Sequence, residues 1–471
     1  MSRQSACPKY TPNQLWLVFQ RLLPIPVIEQ LVAESGRKAG LKRGFYQRLF
    51  PPLVVLWGFV FQRLHPDHSC DSFLSAYLQQ EPPPAWRTER PGQVRRPAEN
   101  TGGYCKARKR LPLWVAQAAL RHTAEALQAE WGAEGLWLGW RVVWLDGSTL
   151  RLAAEAELLA HYGTASNQHG VCHWPMMRLV AGFDLFGGGL WGVAEGAYRR
   201  SEHSLTAELI AQMEADFLYV GDRNFGAYHI LQVVRAAHSQ ALLRLPLAQA
   251  RRLGRRHLQP GCDRQVIWTP SPRDQLEPDQ PAPAVSGRLI YARLERDGFR
   301  PIDLYLFTTL TEREWYPAAE LIALYGQRWQ VELDLRQVKS TLAMEELQGK
   351  YVDIVRKELL LGLLAYNLIR GLMGLAALRA GRDPLQLSFA ACLRRIGATL
   401  ARLAAQASPT QIERFLEDLL ERLGRCVLPA RKRQRFEPRA VWGRPRVYPT
   451  IKGSRENARQ AALEKLKPNI Q

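Results

Sequence analysis

Three acidic residues stand where an apolar chain does not ordinarily put them. Asp146 follows Val142, Val143, Trp144 and Leu145 in WLDGST, so its carboxylate ends a stretch that reads as a buried strand. An ionised group there is costly unless something cationic meets it. Asp222 stands in the same relation to the apolar run FLYV in LYVGDRNF. Two strand ends on one sheet edge bring such carboxylates close together, where like charges repel unless a divalent cation bridges them. Glu332 belongs to the helical pattern LYGQRWQVELDLRQVK. At about 100° per residue, Tyr325, Arg328, Glu332 and Lys339 fall within a sector of roughly 60° to 80° on one helix face. Two aspartates and a glutamate suit two Mg²⁺ or Mn²⁺ ions about 3.5–4 Å apart, one activating water or a 3′-hydroxyl and the other stabilising the leaving oxygen at phosphorus. Arg328 as a planar fork and Lys339 as a point charge would grip phosphate oxygens beside them, and Tyr325 adds a hydroxyl.

The elements that must hold these groups are readable from periodicity and turn signals. Residues 11–80 repeat apolar side chains at helical spacing, with Leu15, Val18, Phe19, Leu22 and Leu23 first. The stretch 81–110, rich in Pro, Arg and Gly and closing on GYCKARKRLP, reads as a basic linker that contributes Lys106, Arg108, Lys109 and Arg110. A helix is expected over 113–131, then a strand ending near Asp146 with Ser148 and Thr149 in a turn behind it. A hairpin follows around Gly187, Gly188 and Gly189, and Ser201 caps the next helix. With the strands FLYV and ALLRLPL and the helix between them, the order gives a mixed α/β sheet with helices on its faces. Residues 247–312 read as a β-rich insertion opening on Arg251, Arg252, Arg255 and Arg256. Two long helices, 317–343 and 352–380, follow it. We therefore expect a helical region over 1–130, an α/β domain over 135–380 and a helical region with a basic tail over 381–471.

The chain of 471 residues carries 64 Lys and Arg against 44 Asp and Glu, a net charge of +20, with 46% hydrophobic residues. Wholesale disorder and a miniature disulfide scaffold are excluded, and the charge favours a polyanionic partner. Seven scattered cysteines without a C-x-x-C pair read as reduced thiols, and HGVCHW (His169, Cys172, His173) lacks a second ligand pair at zinc-site spacing. MSRQSACPKYTPNQ has no apolar signal region, residues 53–61 are too short to span a membrane, and 359–380 is interrupted by Asn367 and Arg370. A cytoplasmic, nucleic-acid-binding protein without a membrane span is the expectation.

Tyr325, Arg328, Glu332 and Lys339, separated by two, three and six residues, reproduce the Tyr-Arg-Glu-Lys signature of the insertion sequence 4 family of bacterial DDE transposases. WLDGST and VGDRNF resemble that family's two aspartate blocks, and GYCKARKRLP resembles a segment upstream of the first. The resemblance implies an RNase H-like mixed sheet flanked by helices, with a β-rich insertion before the Glu-bearing helix. Asp146, Asp222 and Glu332 become its catalytic, metal-binding triad. It further implies cut-and-paste transposition: metal-dependent cleavage at terminal inverted repeats, a hairpin intermediate in well-studied relatives, and strand transfer into target DNA by a homodimer on paired ends at the bacterial nucleoid. In such relatives an aromatic residue of the insertion stacks on a flipped base, for which Trp268, Tyr305 and Trp315 are the candidates. Arg223, beside Asp222, either touches phosphate or neutralises its neighbour. Two other readings share these residues: a DNA-binding transposase remnant, and an RNase H-like nuclease with another substrate.

Overall fold

A computed structural model describes residues 12–38, 49–79, 96–167, 170–213, 216–255, 258–271, 283–295, 301–400, 402–403 and 407–429, with 457, 459–461 and 464 near the C-terminus. His169, Arg256, most of the basic tail and residues 80–95 of the linker lie outside them. Helices α1 (Pro12–Phe19), α2 (Ile25–Lys38), α3 (Pro52–Leu64), α4 (Cys70–Leu78), α5 (Gly102–Arg110) and α6 (Leu113–Trp131) open the chain. Pro52 starts α3 where a missing N–H costs nothing, and the helix is apolar almost all round because it is buried almost all round. Gly132, at φ +54°, ends α6 as expected from sequence. The end of the expected linker is instead α5. After the two glycines, YCKARKR contains only residues a helix tolerates, and Tyr104 and Ala107 bury one face at a spacing of three. Its charge hid that pattern.

The strands are β1 (Arg141–Leu152), β2 (Thr164–Asn167), β3 (Gly170–Asp184), β4 (Leu190–Ala197), β5 (Phe217–Gly221), β6 (Gln240–Arg244), β7 (Asp263–Trp268), β8 (Val285–Leu294), β9 (Ile302–Thr308) and β10 (Glu346–Leu347). Helices α7 (Ala156–Tyr162), α8 (Glu202–Ala211), α9 (Tyr228–Ala236) and α10 (Leu247–Gly254) interleave with them. The order β2-β3-β1-β5-β6-β9-β8-β7 runs across a single sheet, with β4 on β3 and β10 on β1. Strands β4, β3 and β1 are antiparallel, and β5 and β6 continue in parallel from β1. That is the arrangement of an RNase H-like domain, with an apolar core shared by the sheet and by α8 and α9. β1 does not stop near Asp146: Gly147, Ser148 and Thr149, taken for a turn, pair with Val180, Leu179 and Arg178 of β3. The strands of the insertion join the same sheet: β9 returns antiparallel along β6, and β8 and β7 extend it.

The β3–β4 turn carries a buried charge. Asp184 accepts from the Gly187 N–H at 2.6 Å, and its other oxygen has no partner. Burial pushes this carboxyl up to about 7, against the pull of the Gly187 and Phe186 amides. The folded chain therefore binds a proton between about pH 4 and 7 that the unfolded chain has released, so this contribution to stability is full below that window and lost as pH rises through it. Asp184→Asn is expected to stabilise the protein at pH 8 by about 1–2 kcal/mol, with little difference at pH 4.5. Thermal melts of both proteins across that range would show the crossover.

Beyond the insertion lie α11 (Ala318–Gly326), α12 (Trp329–Arg336), a π turn at Gln337–Thr341, and α13 (Val352–Arg379). The expected single helix over 317–343 is thus three pieces, broken at residues 327 and 328 and underwound into a π turn after Arg336. Neither break carries a proline, so periodicity ran through both. α13 is the one helix among the described residues apolar and long enough to cross a membrane, but 89% of its apolar window is buried, which makes it a core helix. α14 (Phe389–Leu400) and α15 (Pro409–Gly424) follow, the latter opened by a capping box between Ser408 and Gln411. The chain divides into a main unit, Met1–Ala292 with Tyr305–Pro429, and a small one, Arg293–Leu304 with Ala430–Gln471. In the small unit Arg293 donates to Glu295 at 2.7 Å.

Candidate active site

Register brings the first two carboxylates level. Trp144 of β1 lies opposite Val220 of the parallel strand β5, and Asp146 and Asp222 each come two residues later. Asp146 accepts from the Gly147 N–H at 2.9 Å, and Asp222 from the Asn224 N–H at 2.8 Å, which folds the chain back immediately after β5. Glu332 sits in the first turn of α12, where Arg328 donates to it at 2.7 Å. The three acids act on one another. Burial first, then Asp222 and Glu332, push the Asp146 carboxyl up to about 6, against the Gly147 amide and Arg328.

Cations surround this centre. The Arg328 side chain is mostly buried, and Lys339, in the π turn, reaches Ser148 on β1 at 3.4 Å. The extra residue of the π turn places Lys339 on the side of the strand that carries Asp146. Tyr325 is buried, and the side chain of Arg244, the last residue of β6, stands against its hydroxyl. The Arg244 Nε is buried without a hydrogen-bond partner, which is unusual and leaves a donor for an incoming acceptor.

Sequence reasoning passed over Arg244 although it carries the same signal as Asp146 and Asp222, a charge ending an apolar strand. It also missed Trp329, half exposed between Arg328 and Glu332, and the pair Glu202 and Asn224. The remaining predicted residues scatter. Arg223 is exposed beside Asp222. Trp268 packs edge-on against Phe307 and Tyr305 against Tyr291, both in the core, whereas Trp315 is 74% exposed. On α5, Lys106, Lys109 and Arg110 face outward, while Arg108 turns in to lie 4.3 Å over the Phe59 ring and donate to Cys70.

The donor chemistry fits divalent cations. The acids offer hard oxygen ligands, and a dication would offset the burial and the neighbouring negative charges that hold the Asp146 carboxyl up. Among the described residues no group of three His, Cys, Asp or Glu side chains is placed to hold a metal ion as it stands. Glu332 is held by Arg328 at 2.7 Å.

Hard carboxylates on neighbouring parallel strands of such a sheet, with arginine and lysine side chains beside them, are the chemistry of a metal-dependent enzyme that cuts and joins polynucleotides. Residues 137–368 match the transposase DDE domain family. Over 436 residues, 90% of this chain and 91% of the relative, the sequence is 27% identical to transposase InsG for insertion sequence element IS4 of Escherichia coli. A piggyBac transposase solved by cryo-electron microscopy in a synaptic complex with hairpin DNA aligns at 10% identity with a TM-score of 0.40, covering 87% of this chain and 85% of that one. The chain belongs to the insertion sequence 4 family of DDE transposases. It is a DNA transposase, and its family uses divalent metal ions to cleave DNA and transfer strands.

Proposed function

We propose that this chain moves its insertion sequence by cut-and-paste transposition, cutting at terminal inverted repeats and joining the freed ends to target DNA as a homodimer on paired ends. The reading is carried by the convergence of three acids at one edge of the sheet: Asp146 and Asp222 lie level on neighbouring parallel strands, and Glu332 stands near enough to act on Asp146. Those three residues would hold two Mg²⁺ or Mn²⁺ ions, which supply an activated water or 3′-hydroxyl and charge stabilisation at phosphorus. The protein's own part is to aim the DNA. Arg328 and Lys339 take the oxygens of the scissile phosphate, and Arg244, beside Tyr325, supplies an unpaired donor behind it. Arg223 lies open to the flanking phosphate, and Lys106, Lys109 and Arg110 reach the duplex from α5. Trp315, exposed at a turn before α11, is the aromatic of the three best able to receive an unstacked base. Arg108, Trp268 and Tyr305 serve packing.

Incubating the protein and Mg²⁺ with linear DNA that carries the element's ends should give cuts at the repeat boundary and, with target plasmid added, joined products. Equal cutting of DNA without the repeats would replace this reading by a general nuclease, and binding without cutting would make the chain a remnant.

A further inference from the structure

Outside the three acids, one side chain touches both aspartate-bearing segments. Glu202 opens α8 behind the capping residue Ser201. Its carboxylate accepts from the Asn224 side-chain amide at 2.5 Å, and Asn224 is the residue whose backbone N–H holds Asp222. The same carboxylate lies flat against Gly147, so close that a Cβ there would stand 2.6 Å from its carbon. Gly147 in turn donates its backbone N–H to Asp146. The neighbouring His203 donates through Nε2 to the Asn224 carbonyl at 2.5 Å, so the first turn of α8 grips Asn224 from two sides.

We infer that Glu202 is a positioning residue, bracing the Asp222 turn against the strand of Asp146 so that the two carboxylates are set for metal before metal arrives. The inference rests on the proposed role of those aspartates. Partners one shell out from metal ligands ordinarily change metal affinity or activity by about 10–100-fold when removed. Glycine at 147 belongs to the same arrangement, because any side chain there would displace the brace.

The test compares Glu202→Ala, Glu202→Gln, Asn224→Ala and the double variant Glu202→Ala/Asn224→Ala, with Asp146→Asn as reference. The readouts are Mn²⁺ titration of the DNA-free protein, followed by the rise in Tm, and end cleavage. Glu202→Ala and Asn224→Ala should each weaken Mn²⁺ binding and cleavage by about 10–100-fold. Glu202→Gln keeps a carbonyl oxygen for Asn224 and should stay within about threefold of wild type. The double variant should be no worse than either single one, as for two ends of one contact. Asn224 is exposed, so its variant keeps the test open if Glu202→Ala fails to fold. Wild-type Mn²⁺ binding in Asn224→Ala would overturn the inference, and so would a Gln variant as impaired as Ala, since the charge and not the brace would then matter. Failure of the underlying reading looks different: Asp146→Asn would itself cut DNA.

Discussion

Asp146→Asn lowers end cleavage by about 10³-fold or more and leaves the fold intact, with a Tm equal to or above that of wild type. The asparagine still accepts from the Gly147 amide and fills the same space, so the strand pairing of β1 with β3 is unaffected. What disappears is a buried charge that Asp222 and Glu332 oppose. Its loss therefore relieves strain in the metal-free protein while removing a ligand, and the two effects have opposite signs on stability and activity. Asp222→Asn and Glu332→Gln should share the activity loss. Glu332→Gln also weakens the pairing with Arg328, which is largely solvent-exposed on the glutamate side and contributes little to stability. The Asp146 carboxyl near 6 adds a pH signature. Below that value it holds a proton that metal must displace, so the Mg²⁺ concentration needed for half-maximal cleavage rises as pH falls from 7 to 5. Gel-resolved cleavage with parallel thermal melts decides the matter, and a triad variant within tenfold of wild type would remove that residue from the assignment.

Arg370→Met costs about 3–5 kcal/mol of folding free energy, the expected penalty for leaving a buried acid without its cation. Arg370 on α13 and Asp334 on α12 are almost completely buried and ion-paired. Burial raises the Asp334 carboxyl, and Arg370 is what draws it back. The guanidinium also donates to Gln337 at 2.7 Å and to the Tyr366 hydroxyl at 2.9 Å, and that hydroxyl donates on to the Gly188 carbonyl at 2.7 Å. One residue along, Asn367 accepts from the Leu190 N–H and donates to its carbonyl. The face of α12 opposite Glu332 is therefore bolted through α13 to the β3–β4 turn. Gly188 is required there twice over, by its φ of +65° and by the guanidinium 2.9 Å from where a Cβ would lie. The double variant Asp334→Leu/Arg370→Met should recover much of the loss, because no unpaired charge remains. Denaturant melts of the two proteins test this; equal destabilisation by both would mean that packing volume, not charge, governs the contact.

The apolar periodicity of α6, the glycine turn between β3 and β4, and the Ser201 cap were legible because each is decided by residues near in sequence. The carboxylates were legible for a related reason: a charge interrupting an apolar strand is conspicuous whatever surrounds it. The length of β1 was not, since Gly147-Ser148-Thr149 has turn composition and stays extended only through pairing with β3 and the approach of Glu202. The π turn at Lys339 leaves no mark on composition. Arg370 could be read only as an interruption of an apolar helix, because its partner lies 36 positions away and on another element. Glu202 looked like an ordinary acid in a first helical turn, favoured there by the helix dipole alone.

The pairing of β9 with β6 has an evolutionary consequence. The chain leaves the core at Arg244 and comes back at Leu306, and these two positions are partners in the ladder. Everything between is a detour with a common gate. Chain can be added or lost between its strands without moving Arg244 from Leu306, but Val266, Trp268, Val285 and Leu289 pack into the sheet's own core and Arg288 donates to the Tyr316 carbonyl just before α11. The strands of the detour are therefore tied to the frame that carries Glu332.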